Sequence, residues 1–277
     1  MYRIIVDSTF GLDKDFILKH NIKVASLKLN LDNNIYDSAN LDQWDSLYKN
    51  MLQVKEFPKT SQPSPEDFEN AINEILNEDK NAQIMILTMS HKLSGTNNCA
   101  KLCAGLFPDN EIVVIDTLMT TILCKIVMED VVRLNQEGKS AIEISEYICK
   151  FRQAADVLIM PHDLVYLHRG GRISGLSYAV ATAVSIKPLI TLADGQLKNV
   201  KKVIGIKAAL TEFVKLAKKP NSKAYLVEVY ESPYTEDLKN MLKSAGISVE
   251  NTFKMDPVIG CHVGPGGIAM GVIENID

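Results

Sequence analysis

The chain holds 277 residues, 46% apolar and 23% charged, with 30 Lys+Arg against 34 Asp+Glu for a net charge of −4. These proportions exclude disorder, collagen and coiled coil as the main state, and the length allows a large core in one or two domains without disulfide staples. The acidic balance, with no basic cluster beyond Lys198, Lys201, Lys202 and Lys207, argues against nucleic acid as a partner.

Ile4-Ile5-Val6 reads as a short strand ending in Asp7-Ser8-Thr9, and a helical stretch with Phe16, Ile17 and Leu18 follows. Val24 to Leu31 alternates as one strand up to the turn Asp32-Asn33-Asn34, and Leu41 to Leu52 reads as helix. With three prolines in nine residues, Phe57 to Pro65 is expected to lack regular structure. Ser64-Pro65 with Asp67 three residues on opens a helix whose face is Phe68, Ile72, Ile75 and Leu76. Ile84 to Leu87 and Ile112 to Ile115 are continuous apolar runs, the pattern of strands covered on both faces. Between them lie Leu93-Ser94-Gly95-Thr96 and a helix through Ala100, Leu102 and Leu106. Further helices are broken at Gly138. This rhythm predicts an α/β domain with a mostly parallel sheet flanked by helices.

The texture changes after Val157 to Pro161. A helix through Leu164 and Leu167 ends at Gly170-Gly171, and another is expected from Ser174 to Val184. Ala193-Asp194-Gly195 joins two strands of a hairpin. Two amphipathic helices (Ile206 to Ala217, Leu238 to Ala245) alternate with strands at Tyr225 to Val229 and Val249 to Phe253. The expectation is two domains: residues 1–160, α/β, and residues 161–277, α+β.

No apolar run approaches the ~18 residues needed to span a bilayer. The start reaches Asp7 too soon for the core of a signal peptide. Five cysteines (Cys99, Cys103, Cys124, Cys149, Cys261), odd in number and mostly in apolar stretches, read as reduced thiols. A cytoplasmic protein is expected.

Ligands of parallel sheets bind beyond the carboxyl ends of the strands. Three strands end in Asp7-Ser8-Thr9, Ser90 to Thr96 and Asp116-Thr117, loops rich in hydroxyls and backbone N–H groups. Each suits a helix cap equally well; together they suggest a ligand edge. Catalytic templates fail: Ser94 lacks flanking glycines for a nucleophile elbow, and Leu176-Ser177 stands where a P-loop would continue after Gly170 and Gly175. The five histidines have no metal-ligand spacing, so neither a metal nor a cofactor is expected. His262, before Gly264-Pro265-Gly266-Gly267, is either packed in a tight turn or near a ligand. Arg172 either donates to helix-terminal carbonyls or meets the ligand. Met85, Met89, Met119 and Met160 read as core or as the wall of an adaptable cavity.

Taken in order, Asp7-Ser8-Thr9, Thr60-Ser61-Gln62-Pro63-Ser64, Leu93-Ser94-Gly95-Thr96, Asp116-Thr117, Leu167 through Gly170-Gly171-Arg172-Ile173-Ser174, Ile186-Lys187-Pro188 and His262 through Gly266 resemble the DegV family of bacterial lipid-binding proteins. The resemblance spans nearly the whole chain. It implies a non-enzymatic, two-domain protein holding one long-chain, palmitate-like fatty acid in a tunnel between the domains. Some members present this cargo to a fatty acid kinase for phospholipid synthesis. Carried over by motif, the carboxylate site is Thr60, Ser61, Ser94 and His262, with Gly95, Thr96, Asp116 and Arg172 in supporting loops. Ile204 and Ile206 stand where relatives commonly carry arginines, which weakens the case for a kinase partner. Two alternatives remain: a small-molecule hydrolase or transferase using Ser94 and His262, and a lipid sensor without a kinase.

Overall fold

The computed structural model describes residues 1–54, 56–172 and 186–276. The expected helix from Ser174 to Val184 lies outside them. In chain order the first half contains β1 (Arg3–Asp7), α1 (Lys14–His20), β2 (Lys23–Ala25), β3 (Lys28–Leu31), β4 (Asn34–Asp37), α2 (Trp44–Gln53), β5 (Lys59–Ser61), α3 (Pro65–Glu78), β6 (Ile84–Thr88), α4 (Thr96–Ala104), β7 (Ile112–Asp116), α5 (Ile122–Gln136) and α6 (Ala141–Gln153). The second half contains β8 (Ala155–Met160), α7 (Leu164–Gly170), β9 (Ile186–Ala193), β10 (Gln196–Ile204), α8 (Ile206–Leu216), β11 (Ser222–Glu228), α9 (Thr235–Ser244), β12 (Val249–Lys254), α10 (Pro257–Val263) and β13 (Ile268–Glu274).

The first sheet is parallel, in the order β2-β1-β6-β7. Its alternating side chains separate two cores, as the period of two requires. Ile5, Ile84 and Ile86 pack with Phe68, Ile72 and Ile75 of α3 and with Cys99, Ala100 and Cys103 of α4. Ile4, Val6, Met85 and Leu87 face the other way, into the largest apolar cluster of the molecule. β6, with neighbours on both sides, is buried throughout. β7 is an edge strand and only Ile115 in it is buried, so its expected cover on both faces is incomplete.

The second sheet has six strands in the order β10-β9-β8-β13-β11-β12, antiparallel except for the β11–β12 pair. One face carries Leu158, Met160, Leu226, Met270 and Val272 against Phe213 of α8 and Leu238 of α9. The opposite face contributes Val157, Ile159, Val227 and Ala269 to the large cluster that also covers the parallel sheet. One core therefore joins the two sheets. The chain enters the second sheet at Ala155.

Two local expectations are corrected by this arrangement, and one open reading is narrowed. Val24 to Leu31 is two strands in different sheets: the ladder breaks at Ser26-Leu27, where Ser8 Oγ takes the Leu27 N–H at 2.9 Å. The proline-rich segment contains a real strand, β5, paired antiparallel with β3 through Lys59, Thr60 and Ser61. Pro58 and Pro63 lie outside the ladder, on an edge where a missing N–H costs nothing. His262 sits not in a tight turn but in the last turn of α10; Gly264 and Gly266, at φ of 91° and 84°, reverse the chain only after it.

Other local signals carry through. Ser64 and Asp67 form a reciprocal capping box with Pro65 at the first helical position. Asp194 and Gly195 both adopt positive φ between β9 and β10, the hairpin turn their residue types demand. No helix among the described residues is long and apolar enough to cross a membrane.

Candidate functional site

Beyond the carboxyl end of β6, between the parallel sheet and α10, the shared core opens into a cleft. Its inner wall is apolar: Leu27, Met89, Ile159, Met255, Val258 and Val263 are buried, and Leu93, Leu197 and Ile259 are half-buried. α10 forms one flank because Tyr48 of α2 pins its start, donating to the carbonyls of Met255 and Asp256 at 2.9 and 3.2 Å. Asp256 then caps the helix through Oδ1, which accepts the N–H groups of Val258 and Ile259.

The mouth is polar and carries Thr60, Ser61, Gln62, Ser94, Arg172 and His262. β5 supplies the first two, because pairing with β3 holds it against the cleft. The turn after β6 supplies Ser94; its N–H bonds Ser90 O, and its Oγ shares a 2.8 Å hydrogen bond with Thr96 Oγ1. Thr60 Oγ1 and His262 Nε2 share a hydrogen bond of 3.0 Å. The guanidinium of Arg172 donates back to Gly170 O, and the residue borders the mouth.

Burial, with a smaller push from Arg172, lowers the pKa of His262 to about 4. The imidazole is therefore neutral at pH 7. Its Nδ1 is buried with no hydrogen-bond partner among the described residues and packs against the α-carbon of Gly170. A buried N–H left unpaired is costlier than an unpaired ring lone pair, which places the proton on Nε2, donating to Thr60. The Thr60 hydroxyl hydrogen is then free to donate into the cleft. With the Ser61 and Ser94 hydroxyls it makes a cluster of neutral donors at the end of an apolar channel, suited to an anionic group with an apolar tail.

The structure thus brings Thr60, Ser61, Ser94, His262 and Arg172 together on one cleft. Gly95 and Thr96 stand beside it: the missing side chain of Gly95 admits Gln62, and Thr96 orients Ser94. Asp116 does not line it; this carboxylate pairs with exposed His91 and caps the Leu118 N–H. Asp7 is likewise turned inward, accepting from Thr9 N–H, Thr9 Oγ1 and Met89 N–H. Of the four methionines considered for a cavity wall, only Met89 lines it, joined by Met255. Sequence reasoning missed Thr120 and Thr121, which no local signal marks, and Gln62, which stood inside a quoted motif. Among the described residues no group of three or more His, Cys, Asp and Glu side chains is placed to hold a metal.

Fold and cleft together define a class: an α/β protein of three sheets, the third the small antiparallel β4-β3-β5, whose cleft is apolar inside and ringed by neutral hydrogen-bond donors at its mouth. Residues 1–275 match the family described as "Uncharacterised protein, DegV family", and the chain belongs to the DegV family. It is similar to a DegV domain-containing protein of Clostridium acetobutylicum, 28% identical over 262 residues covering 95% of this chain and 93% of the relative. A DegV domain-containing protein of Lactococcus lactis is also 28% identical, over 282 residues covering 97% and 96%. Among solved structures, a fatty-acid-binding DegV family protein from Thermus thermophilus superposes with a TM-score of 0.86 at 28% identity, covering 99% of both chains. A DegV lipid-binding protein from Thermotoga maritima gives 0.83 at 25% identity, covering 99% and 98%.

Proposed function

We propose that this chain binds one long-chain fatty acid without chemically altering it, carboxylate at the mouth and acyl chain in the apolar channel. The observation that carries the reading is the donor cluster of Thr60, Ser61 and Ser94, backed by neutral His262, at the open end of a wall made of Leu, Ile, Val and Met. Each buried methylene contributes roughly 0.8 kcal/mol, so a chain of about 16 carbons supplies around ten kcal/mol before the costs of association. A buried cation is then unnecessary for affinity, and Arg172 at the rim is exposed. Similarity to the fatty-acid-binding protein from Thermus thermophilus supports the same reading.

The geometry does not favour a hydrolase. Ser94 shares its hydroxyl with Thr96 rather than with His262, and among the described residues no carboxylate orients Nδ1 of the imidazole. A carrier role follows from the position of the head group, because a carboxylate at an open mouth is available to a partner. We assign that partner as a fatty acid kinase acting in the cytoplasm, with docking weakened because Ile204 and Ile206 stand where the family resemblance implies arginines. Denaturing the purified protein and identifying released lipid by mass spectrometry tests the central claim. A fatty acid in roughly equal molar amount is expected. Absence of lipid, together with no binding of added palmitate or oleate, overturns it.

A further inference from the structure

α10 presents one continuous face to the cleft. Val258, Ile259, His262 and Val263 recur at helical spacing along it, and Met255 stands just before its cap. His262, in the last turn, is at the mouth, so Met255 and Val258 belong to the inner end. At about 1.5 Å per residue, the run from Asp256 to His262 puts these ends about 9 Å apart, several carbons along an extended acyl chain. Met89 follows the end of β6 and lines the cleft from the side of the parallel sheet.

The backbone at both methionines is fixed. Met89 N–H donates to Asp7 Oδ2 at 2.6 Å. Met255 N–H donates to Glu228 O at 3.0 Å, and its carbonyl accepts the Tyr48 hydroxyl at 2.9 Å. Every other apolar side chain on the described wall is a Leu, Ile or Val. Such branched side chains occupy few rotamers, and forcing them aside strains the packing around them. Methionine is unbranched, with three rotatable bonds, and re-fits to a neighbour of changed shape at little cost. The wall is therefore stiff except at two side chains, one contributed by each flank. Met85 and Met119 belong to the same core but do not line the cleft.

We propose that Met89 and Met255 make this cleft indifferent to acyl-chain shape, so that straight and cis-bent chains of equal length bind about equally. The proposal rests on the fatty-acid reading of the cleft. Two acids of equal length that differ by one double bond bury nearly the same apolar area, so hydrophobic transfer does not separate them. They differ in shape. A cis double bond turns the chain aside near its middle, and the wall there has to yield sideways. A wall of branched side chains alone resists, as any overpacked core does. The two methionines rotate instead, which is how methionine-rich surfaces accept partners of varied shape.

The test measures affinities of the full chain for stearate, oleate and elaidate, the last carrying the same double bond as oleate in the straight trans form. The panel is run on Met89→Leu, Met255→Leu and the pair, exchanges that nearly conserve volume, with circular dichroism confirming each fold. Met160→Leu is the control, a methionine of the second core that lies off the cleft. The natural protein should bind the three acids within about threefold of one another, and in the pair oleate should weaken about tenfold relative to stearate. Elaidate should stay with stearate throughout. Each single variant shows part of the shift and carries the test if the pair does not fold. Four results overturn this proposal alone: a wider preference in the natural protein, an unchanged oleate-to-stearate ratio in the folded leucine variants, elaidate weakening with oleate, or an equal shift in Met160→Leu. Failure of every acid to bind the folded natural protein overturns the fatty-acid reading and this proposal with it.

Discussion

Thr60 and His262 share a 3.0 Å hydrogen bond although 202 residues separate them along the chain. Thr60 lies on β5, paired with β3 in the first half, and His262 lies on α10, pinned to α2 through Tyr48. The three donors lie in the first half, and the imidazole that orients Thr60 comes from the second. The two meet because one apolar core closes both sheets onto each other, so stability of that core and affinity for a carboxylate are coupled.

Removing a donor should weaken acyl binding without unfolding the chain. Thr60→Val and Ser94→Ala are each expected to cost about 1.5–3 kcal/mol of binding, read by titration with palmitate. Thr9→Ala is the control, because the Thr9 hydroxyl is committed to Asp7 at 2.6 Å and does not line the channel. Normal affinity in a folded Ser94→Ala protein would place the head group elsewhere.

Much of the fold is legible where one local rule acts without competition. The buried run Ile84 to Leu87, the capping box at Ser64 and Asp67, and the Asp194-Gly195 turn each have one favourable outcome. Legibility fails where tertiary pairing decides. β5 is short and flanked by prolines, and only β3 beside it makes it a strand. β13 follows a glycine-rich stretch and contains Gly271, yet it is the inner strand that pairs with both β8 and β11. In the candidate site, hydroxyl-rich strand ends were visible, but local pattern does not say which of them turn inward as Asp7 does. Thr120 and Thr121 have no local signature at all, since their place on the cleft is a property of the packing around them.

Three glycines at close approaches should respond differently to alanine. A β-carbon on Gly260 collides with the Tyr48 hydroxyl and ring, which are buried and anchored to two carbonyls, so a loss of about 3 kcal/mol or more is expected. On Gly95 it meets only the end of the Gln62 side chain, which can swing away, and stability should fall by less than about 1 kcal/mol. On Gly170 it pushes the imidazole of His262, so affinity should drop more than stability. Thermal unfolding and palmitate titration on the three variants separate these cases; equal melting points for Gly260→Ala and Gly95→Ala would contradict the packing argument.

Stability should depend on pH through opposing buried groups. Burial raises Asp256 from 3.8 to about 7 and Asp7 to about 6, so their contributions are full below about 4 and lost as pH rises through those values. Burial lowers His262 from 6.5 to about 4, so its contribution is full above 6.5 and lost as pH falls. Each is worth on the order of 3 kcal/mol, and they offset between pH 4 and 7. Asp256→Asn keeps the helix cap and should gain on the natural protein as pH rises through this window. His262→Gln should gain as pH falls. Melting curves that stay parallel to the natural protein's in both variants would show that these groups do not titrate there.

The last expectation concerns the two isoleucines at the junction of β10 and α8. Ile204 is 77% exposed at the end of an edge strand, whereas Ile206 is half-buried and packs on the cluster beneath α8. An arginine at 204 therefore has room in solvent, while one at 206 must withdraw apolar surface from Phe213 and its neighbours. Lys201 is engaged by Glu212, so the local basic character rests more on Lys202 and Lys207, point charges without the planar fork that matches acidic groups. Ile204→Arg is expected to leave stability within about 0.5 kcal/mol and to raise acyl-phosphate formation with a heterologous fatty acid kinase. Ile206→Arg should lower the melting temperature instead. Equal and efficient turnover of the natural protein and Ile204→Arg would mean that docking does not use this surface, and the kinase role would then have to rest on the mouth of the channel alone.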